Sequence, residues 1–279
     1  MSELRAHHAA VGEHYSQSGW ETMGYDYEAV RLERHSPVER AITERYLRRY
    51  IHDGATVADI GAGIGHYSET LARRGCRVHL IDVAQRLLNT AADRLTARGL
   101  GGQIIDVHHA SATDLPFLPD GGCDAVLLLG PLYNLGDPAE RQQAIAEAAR
   151  VLRGGGIVFA AGINRLAFFR DGFRKDPAGA AENTAFFEGV LRDGNFPPPA
   201  DGMPSTFHMT TVEEFRAELS ATFTPVVLAG VESFASSFQE SLLGLSDADA
   251  HAWLDVIERT GLTPEGLGYT DHYLYIGRR

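Results

Sequence analysis

The chain has 279 residues, a hydrophobic content of 44% and a formal net charge of −12. That is enough apolar material for a substantial core, and the charge is too acidic for a nucleic-acid surface. No apolar run approaches the roughly 20 residues of a membrane-spanning helix, and Met1-Ser2-Glu3-Leu4-Arg5 lacks a secretory signal pattern. A cytoplasmic protein with neither membrane nor nucleic-acid partner is expected, built as a single domain over residues 1–279 with appended or inserted cover segments.

In chain order, residues 1–40 are polar with interleaved Tyr15, Trp20, Tyr25 and Tyr27. They predict an N-terminal cap of two short helices, the second over Glu28 to Arg34. Ser36-Pro37-Val38-Glu39 has the form of a helix start, with Ser36 at the N-cap, Pro37 at N1 and Glu39 at N3. The apolar positions Ala41, Ile42, Tyr46, Leu47 and Tyr50 then share one helical face. A first strand at Thr56 to Ile60 runs into Gly61-Ala62-Gly63-Ile64-Gly65. Alternate glycines there allow a tight turn and leave no side chain between backbone and ligand. Asp59, just before them, is placed to orient the loop or reach the ligand.

A second strand ends at Asp82, where an acid 23 positions after Asp59 suits the acceptor of two ribose hydroxyls in a doubly wound sheet. Leu87, Leu88, Ala91 and Leu95 mark the inward face of the next helix, running to Arg98. A strand at Ile104 to His108 leads to the turn Ala112-Thr113-Asp114-Leu115. Cys123 to Leu129 is nearly continuous in apolar residues, as expected of a parallel strand buried on both faces. Gly130, Tyr133 and Asn134 then emerge in the crevice that holds Asp59 and Asp82. Cys76 and Cys123 open strands two and four, with strand one between them. At ~4.8 Å per strand step they are too far apart to bridge.

Asp137, Pro138 and Glu140 start another helix, and Arg153-Gly154-Gly155-Gly156 turns into a strand at Ile157 to Gly162. Residues 164–209 hold seven of the thirteen phenylalanines, at 168, 169, 173, 186, 187, 196 and 207, together with Pro197-Pro198-Pro199. So aromatic an insertion predicts a helical lid over an apolar pocket. The core comprises 41–163 and 210–279, with 1–40 as the cap. Thr211 and Glu214 predict a capping box, Ser246 caps a helix bearing Trp253, Val256 and Ile257, and an antiparallel pair at Val226 to Phe234 and His272 to Gly277 closes the sheet.

Over about residues 40–165, the glycine loop, Asp82, the Ala112 turn, the Cys123 strand and Arg150-Val151-Leu152-Arg153-Gly154-Gly155-Gly156 together resemble class I S-adenosylmethionine-dependent methyltransferases. Leu129-Gly130-Pro131-Leu132-Tyr133-Asn134-Leu135 is similar to a bacterial small-molecule subgroup, which usually has His where this chain has Asn134. The resemblance implies an α/β, Rossmann-like, doubly wound and mostly parallel seven-stranded sheet with an antiparallel last strand, a helical cap and an inserted lid. It implies S-adenosylmethionine at Asp59, Gly61, Gly63, Gly65, Asp82 and Gly130, with the adenine held by Ala112, Thr113 and Asp114. The N-terminal segment closes over the site in such enzymes, which makes Tyr15 a candidate for the face beside the sulfonium.

Metal ligation is not expected, because His7-His8 and His108-His109 are adjacent pairs and no cysteine cluster exists. Neither a Gly-x-Ser-x-Gly elbow nor a phosphate-binding Gly-x-x-x-x-Gly-Lys loop is present. Asn134 cannot take a proton, which leaves His208 as the candidate base, with Tyr133 beside the acceptor. The expected reaction is methyl transfer to a small, largely apolar metabolite, leaving S-adenosylhomocysteine. The alternatives are cyclisation of the cofactor's own methionine moiety to azetidine-2-carboxylate with release of methylthioadenosine, or a nicotinamide-dependent oxidoreductase or non-catalytic binding role.

Overall fold

The computed structural model describes residues 5–18, 24–175, 177–196 and 207–279. Trp20 and the proline triplet therefore lie outside the described residues. Helix α1 (Ala6–Ser16), the short α2 (Tyr25–Glu28) and a wide π-type turn (Arg31–His35) precede α3 (Pro37–Tyr50). The predicted second cap helix is thus split in two. Alternation then begins: β1 (Thr56–Ile60), α4 (His66–Ala72), β2 (Arg77–Asp82), α5 (Gln85–Ala97), β3 (Ile104–His109), β4 (Cys123–Leu128), α6 (Pro138–Val151) and β5 (Leu152–Ile163). Helices α7 (Arg165–Lys175) and α8 (Thr184–Asp193) occupy the insertion. The chain closes with α9 (Val212–Ser220), β6 (Thr224–Gly230), α10 (Asp247–Thr260), α11 (Pro264–Tyr269) and β7 (His272–Arg278).

The seven strands lie in the order β3-β2-β1-β4-β5-β7-β6, with β1 to β5 parallel and β7 antiparallel to both of its neighbours. Strand order reverses beside β1, so the ends of β1 and β4 open into one crevice. Ile42, Tyr46 and Leu47 of α3, Leu71 of α4 and Leu88, Ala91 and Leu95 of α5 cover one face of the sheet. Ala144, Ile145 and Ala148 of α6 and Phe215 and Leu219 of α9 cover the other. Each such Leu or Ile, fully buried, contributes about 1.5–3 kcal/mol. Cys76 and Cys123 are buried free thiols.

Of the four predicted caps, three form and one does not. Asp137 accepts from Ala139 N–H, Thr211 and Glu214 form the reciprocal box, and Ser246 accepts from Asp249 N–H. Ser36 makes no such bond. The N–H of Glu39 donates instead to Gln239 Oε1 at 3.1 Å, and the Glu39 carboxylate takes Arg31 Nη1 at 2.6 Å. A guanidinium is a stronger partner than the N-cap amide, so the box is given up. Strand β6 ends at Gly230, short of Phe234, and the chain beyond it passes through Ser233 at φ 50.

Two consequences can be tested. A Cβ on Gly12 would lie 2.0 Å from Val83 O, so α1 sits on the loop after β2 through a bare glycine. Gly12→Ala is expected to weaken docking of α1 by about 1–3 kcal/mol, seen as faster proteolysis within residues 5–18 while the core's urea midpoint stays put. His66, buried at the start of α4, has no hydrogen-bond partner on either ring nitrogen among the described residues, and Glu33 stands 3.8 Å away. Burial first, then Arg94 and Arg40, push its pKa down to about 3. The unfolded chain takes a proton at the ordinary value while the native chain does not, so this site loses stability as pH falls below about 6.5. His66→Leu should raise stability by about 1 kcal/mol at neutral pH and flatten the acid limb of urea unfolding between about pH 7.5 and about pH 5.

Candidate active site

The loop after β1 and the acid ending β2 are joined directly. Gly63 N–H donates to Asp82 Oδ2 at 2.8 Å and Ala84 N–H to Asp82 Oδ1 at 2.7 Å. Asp82 thus steadies the glycine loop and the entry to α5 at once, and each oxygen keeps a lone pair for a ligand. Burial pushes its carboxyl above the usual range, against the pull of these two amides. Gly63 has φ 54, and no atom lies within 4 Å of where a Cβ would sit, so the loop faces open space that a side chain would otherwise fill. The space and the donor-hungry acid fit a nucleoside with a ribose diol. Asp59 lies behind the loop, accepting from Ser68 Oγ at 2.6 Å, and burial lifts its carboxyl to about 6. Gly61 and Gly65 complete the turn at φ 77 and 76.

At the end of β4, Gly130 faces Gly61 O and Tyr133 Oη, each 3.7 Å from where a Cβ would stand. Tyr133 Oη donates to Leu129 O at 3.1 Å, and Asn134 Nδ2 donates to Gly130 O at 3.2 Å. Tyr15 Oη reaches across from α1 to Asn134 Oδ1 at 3.3 Å, while its ring packs against the cluster of Ile64, Ala84 and Leu87. Burial drives both phenols far above their ordinary pKa, so neither is poised to lose its proton. The structure therefore brings Tyr15, Tyr133, Asn134, Gly130, the glycine loop and Asp82 together. In the turn after β3, Ala112 and Thr113 are buried and Asp114 is exposed. Thr113 Oγ1 and Ser111 Oγ are 3.0 Å apart.

A polar wall on the other side was not anticipated. Arg31 Nη1 contacts Glu39 at 2.6 Å and its Nε contacts Glu28 at 3.2 Å. Burial works against the guanidinium's charge, but Glu39 and Glu28 outweigh it. His272 Nδ1 lies 2.6 Å from Glu232 Oε1 and 3.7 Å from Glu39 Oε2. A small cavity bordered by Glu39, Thr43, Tyr67, Leu129 and His272 adjoins the end of β4. The signal in the chain was the polar run Thr270-Asp271-His272 opening the apolar Tyr273 to Ile276.

The insertion supplies an apolar wall. Phe168 packs against Phe186 and Phe196 with centroids 5.6 and 5.3 Å apart, Phe196 stacks on Phe207 at 4.9 Å, and Phe207 lies 6.5 Å from Tyr133. Phe173 points outward, 80% exposed. His208 Nδ1 sits 2.8 Å from Asn195 Oδ1, and the His208 N–H donates to Tyr133 O at 2.8 Å. Burial, then Arg141 and Arg165, lower its pKa to about 4, which makes it a weak base at neutral pH.

Two groups of possible metal ligands come together among the described residues: His7, His8 and Glu140, and Glu39, Glu232 and His272. The first shows that neighbours on α1 converge when a third residue comes from α6, which adjacency alone did not suggest. In both groups a carboxylate already holds a guanidinium, Arg5 on Glu140 and Arg31 on Glu39, each at 2.6 Å. A cation would have to displace it.

Residues 58–160 match the family model described as a methyltransferase domain. The ubiquinone biosynthesis O-methyltransferase of Caulobacter vibrioides is 34% identical over 134 residues, 44% of this chain and 50% of that protein. The chain thus spans about half the length of the curated relatives it matches. Among solved structures, a 1,6-didemethyltoxoflavin-N1-methyltransferase from Burkholderia thailandensis, with bound 1,6-didemethyltoxoflavin and S-adenosylhomocysteine, superposes with TM-score 0.58 at 17% identity, covering 100% of this chain and 92% of that one. The [4+2]-cyclase SpnF gives 0.53 at 18%, covering 93% and 95%. No described helix is long and apolar enough to cross a membrane. The matched segment, the strand order and the crevice agree: residues 58–160, which match the methyltransferase-domain model, hold the point where strand order reverses and the glycine loop beside it.

Proposed function

We propose that the protein transfers a methyl group from S-adenosylmethionine to a small acceptor with a largely apolar body, in the cytoplasm and without a nucleic-acid partner. The observation that carries this reading is the Gly63–Asp82 pairing at 2.8 Å beneath the open space over the loop. Asp82 would accept the ribose hydroxyls through its remaining lone pairs, with Gly61, Gly63 and Gly65 beneath them. Asp59 holds the loop through Ser68. Ala112 and Thr113 form a buried wall for the adenine, with Asp114 at its rim. Gly130 and the ring of Tyr15 flank the reacting end.

When bound, the cofactor supplies an electrophilic methyl: a bond forms from acceptor to carbon as the carbon–sulfur bond breaks with its electron pair left on sulfur. The chain's own residues align the acceptor and exclude water. Residues 164–209 act as a lid whose phenylalanines cover the acceptor's apolar body, residues 1–40 cap the cofactor, and 41–163 with 210–279 form the core. Tyr133 keeps its proton and orients the acceptor. Methyl transfer is favoured over cyclisation by the match of residues 58–160 to a methyltransferase domain.

Calorimetry tests the cofactor site. Loss of a charge-assisted ribose hydrogen bond costs about 1.5–3 kcal/mol, so Asp82→Ala should bind S-adenosylmethionine about tenfold more weakly or worse. Unchanged affinity would refute the assignment, and NAD(H) binding in place of S-adenosylmethionine would point to the oxidoreductase class. Incubation of pure protein with S-adenosylmethionine alone should leave it intact, with S-adenosylhomocysteine forming only once an acceptor is added. Methylthioadenosine accompanied by a cyclic amino acid would overturn methyl transfer.

A further inference from the structure

We propose that His7, His8 and Glu140 form a binding site for one divalent transition-metal ion of the zinc class, which fastens the N-terminal helix α1 to α6. The site uses none of the residues assigned to the cofactor or the acceptor, and the inference does not depend on the reaction carried out there.

Helices α1 and α6 are joined through Glu140, the third residue of α6, whose buried carboxylate faces α1. His7 Nε2 lies 2.7 Å and His8 Nε2 3.3 Å from the same oxygen, Oε2. The two rings stand 4.1 Å apart between centroids, with their planes at 64°. Neighbours on a helix diverge by about 100°, and Glu140 occupies the angle between them. Three electron-pair donors thus surround one point, all within 4.8 Å of one another. Around a tetrahedral ion with bonds of about 2.1 Å, ligand atoms stand about 3.4 Å from each other. The His8 edge is close to that length, and the His7 edge, now a hydrogen bond, has only to open slightly.

The donor set selects the ion. Two imidazoles and one carboxylate suit Zn2+, Co2+ or Ni2+, whereas Ca2+ and Mg2+ favour oxygen ligands throughout. His8 and Glu140 are buried, while the His7 side chain is 12% exposed, which leaves a way in and a fourth position for water. Glu140 Oε1 holds Arg5 Nη1 at 2.6 Å, but the Arg5 side chain is 55% exposed and can return to solvent at little cost. The ion then replaces it as the counter-charge of a buried carboxylate. The group of Glu39, Glu232 and His272 lacks this freedom. Glu232 Oε2 already accepts from Thr270 Oγ1 at 2.6 Å, His272 N–H at 2.9 Å and Asp271 N–H at 3.1 Å, and the guanidinium on Glu39 is only 15% exposed. An ion at His7, His8 and Glu140 pins α1 near its start, as the contact of Tyr15 with Asn134 at 3.3 Å does near its end.

The test uses the full chain, stripped of metal and titrated with Zn2+ in competition with a chromophoric chelator, and with Co2+ for its visible absorption. One equivalent of Zn2+ should bind, and its binding should slow proteolysis within residues 5–18. Removing a partner that merely supports a metal ligand costs about 10–100-fold in affinity. Loss of a ligand, in His7→Ala or Glu140→Gln, should therefore cost about a hundredfold or more and abolish the protection. Arg5→Ala should bind Zn2+ more tightly than the wild type, because a competing cation is gone, whereas a merely structural cluster would show no such gain. Arg5 and His7 both reach solvent, so these two variants should keep the wild-type circular dichroism. Absence of competitive Zn2+ binding overturns the proposal. So does binding that persists in both His7→Ala and Glu140→Gln, or that is lost in His272→Gln instead, which places the ion elsewhere.

Discussion

A guanidinium with little water around it organises the crevice. Burying a charge is tolerable only where partners replace its hydration, and Arg31 finds them on both sides, Glu28 in the cap and Glu39 at the start of α3. Removing one member of such a pair costs about 3–5 kcal/mol, because the other is then left buried and unpaired. The pairing dictates the wide turn that aims Arg31 inward, diverts Glu39 from its capping box and ties the cap to the core. With Glu28, Glu39 and Glu232 gathered around one arginine and one histidine, the crevice has an acidic balance that suits a ligand bearing positive charge.

The two walls of the crevice come from different physics. On one side, rings from α7, α8 and the segment around Phe207 meet at 4.9 to 5.6 Å, the spacing at which aromatic pairs attract beyond their buried area. On the other, ion pairs and hydrogen bonds from α3 and β7 fix polar groups that are largely shielded from water. Tyr133 stands between them, its ring toward Phe207 and its hydroxyl tied to Leu129 O. Such a boundary discriminates by orientation: a molecule with one apolar and one polar end fits in a single direction.

Much of the fold was legible because its determinants are local. The β1 glycine loop, Asp82, the Asp137 and Thr211 caps and the apolar faces of α3 and α5 depend on spacing along a few turns of chain, and all form where the spacing places them. The candidate site was legible only on the cofactor side, for the same reason. Glu39 carried a sufficient local explanation as the third residue of a helix, and nothing near it in the sequence announces Arg31's preference or Gln239, two hundred positions away. Tyr15 and Asn134 were each visible singly, but their meeting at 3.3 Å depends on how α1 docks through Gly12. His208 drew attention because Asn134 cannot take a proton, whereas the burial that lowers its basicity arises from tertiary packing.

The direction of β7 has a consequence of its own. In a parallel sheet every strand delivers its last residues to the ligand edge, so a reader of sequence learns to look just past each apolar run. Strand β7 runs the other way: its first residue, His272, pairs with Ile163 at the end of β5, and its last lies at the far edge of the sheet. The one reversed strand therefore offers the crevice its opening residues. In chains of this topology, the polar positions that matter there precede the final hydrophobic stretch, and the connection leading into that stretch belongs to the ligand-facing rim as fully as the loops leading out of the others.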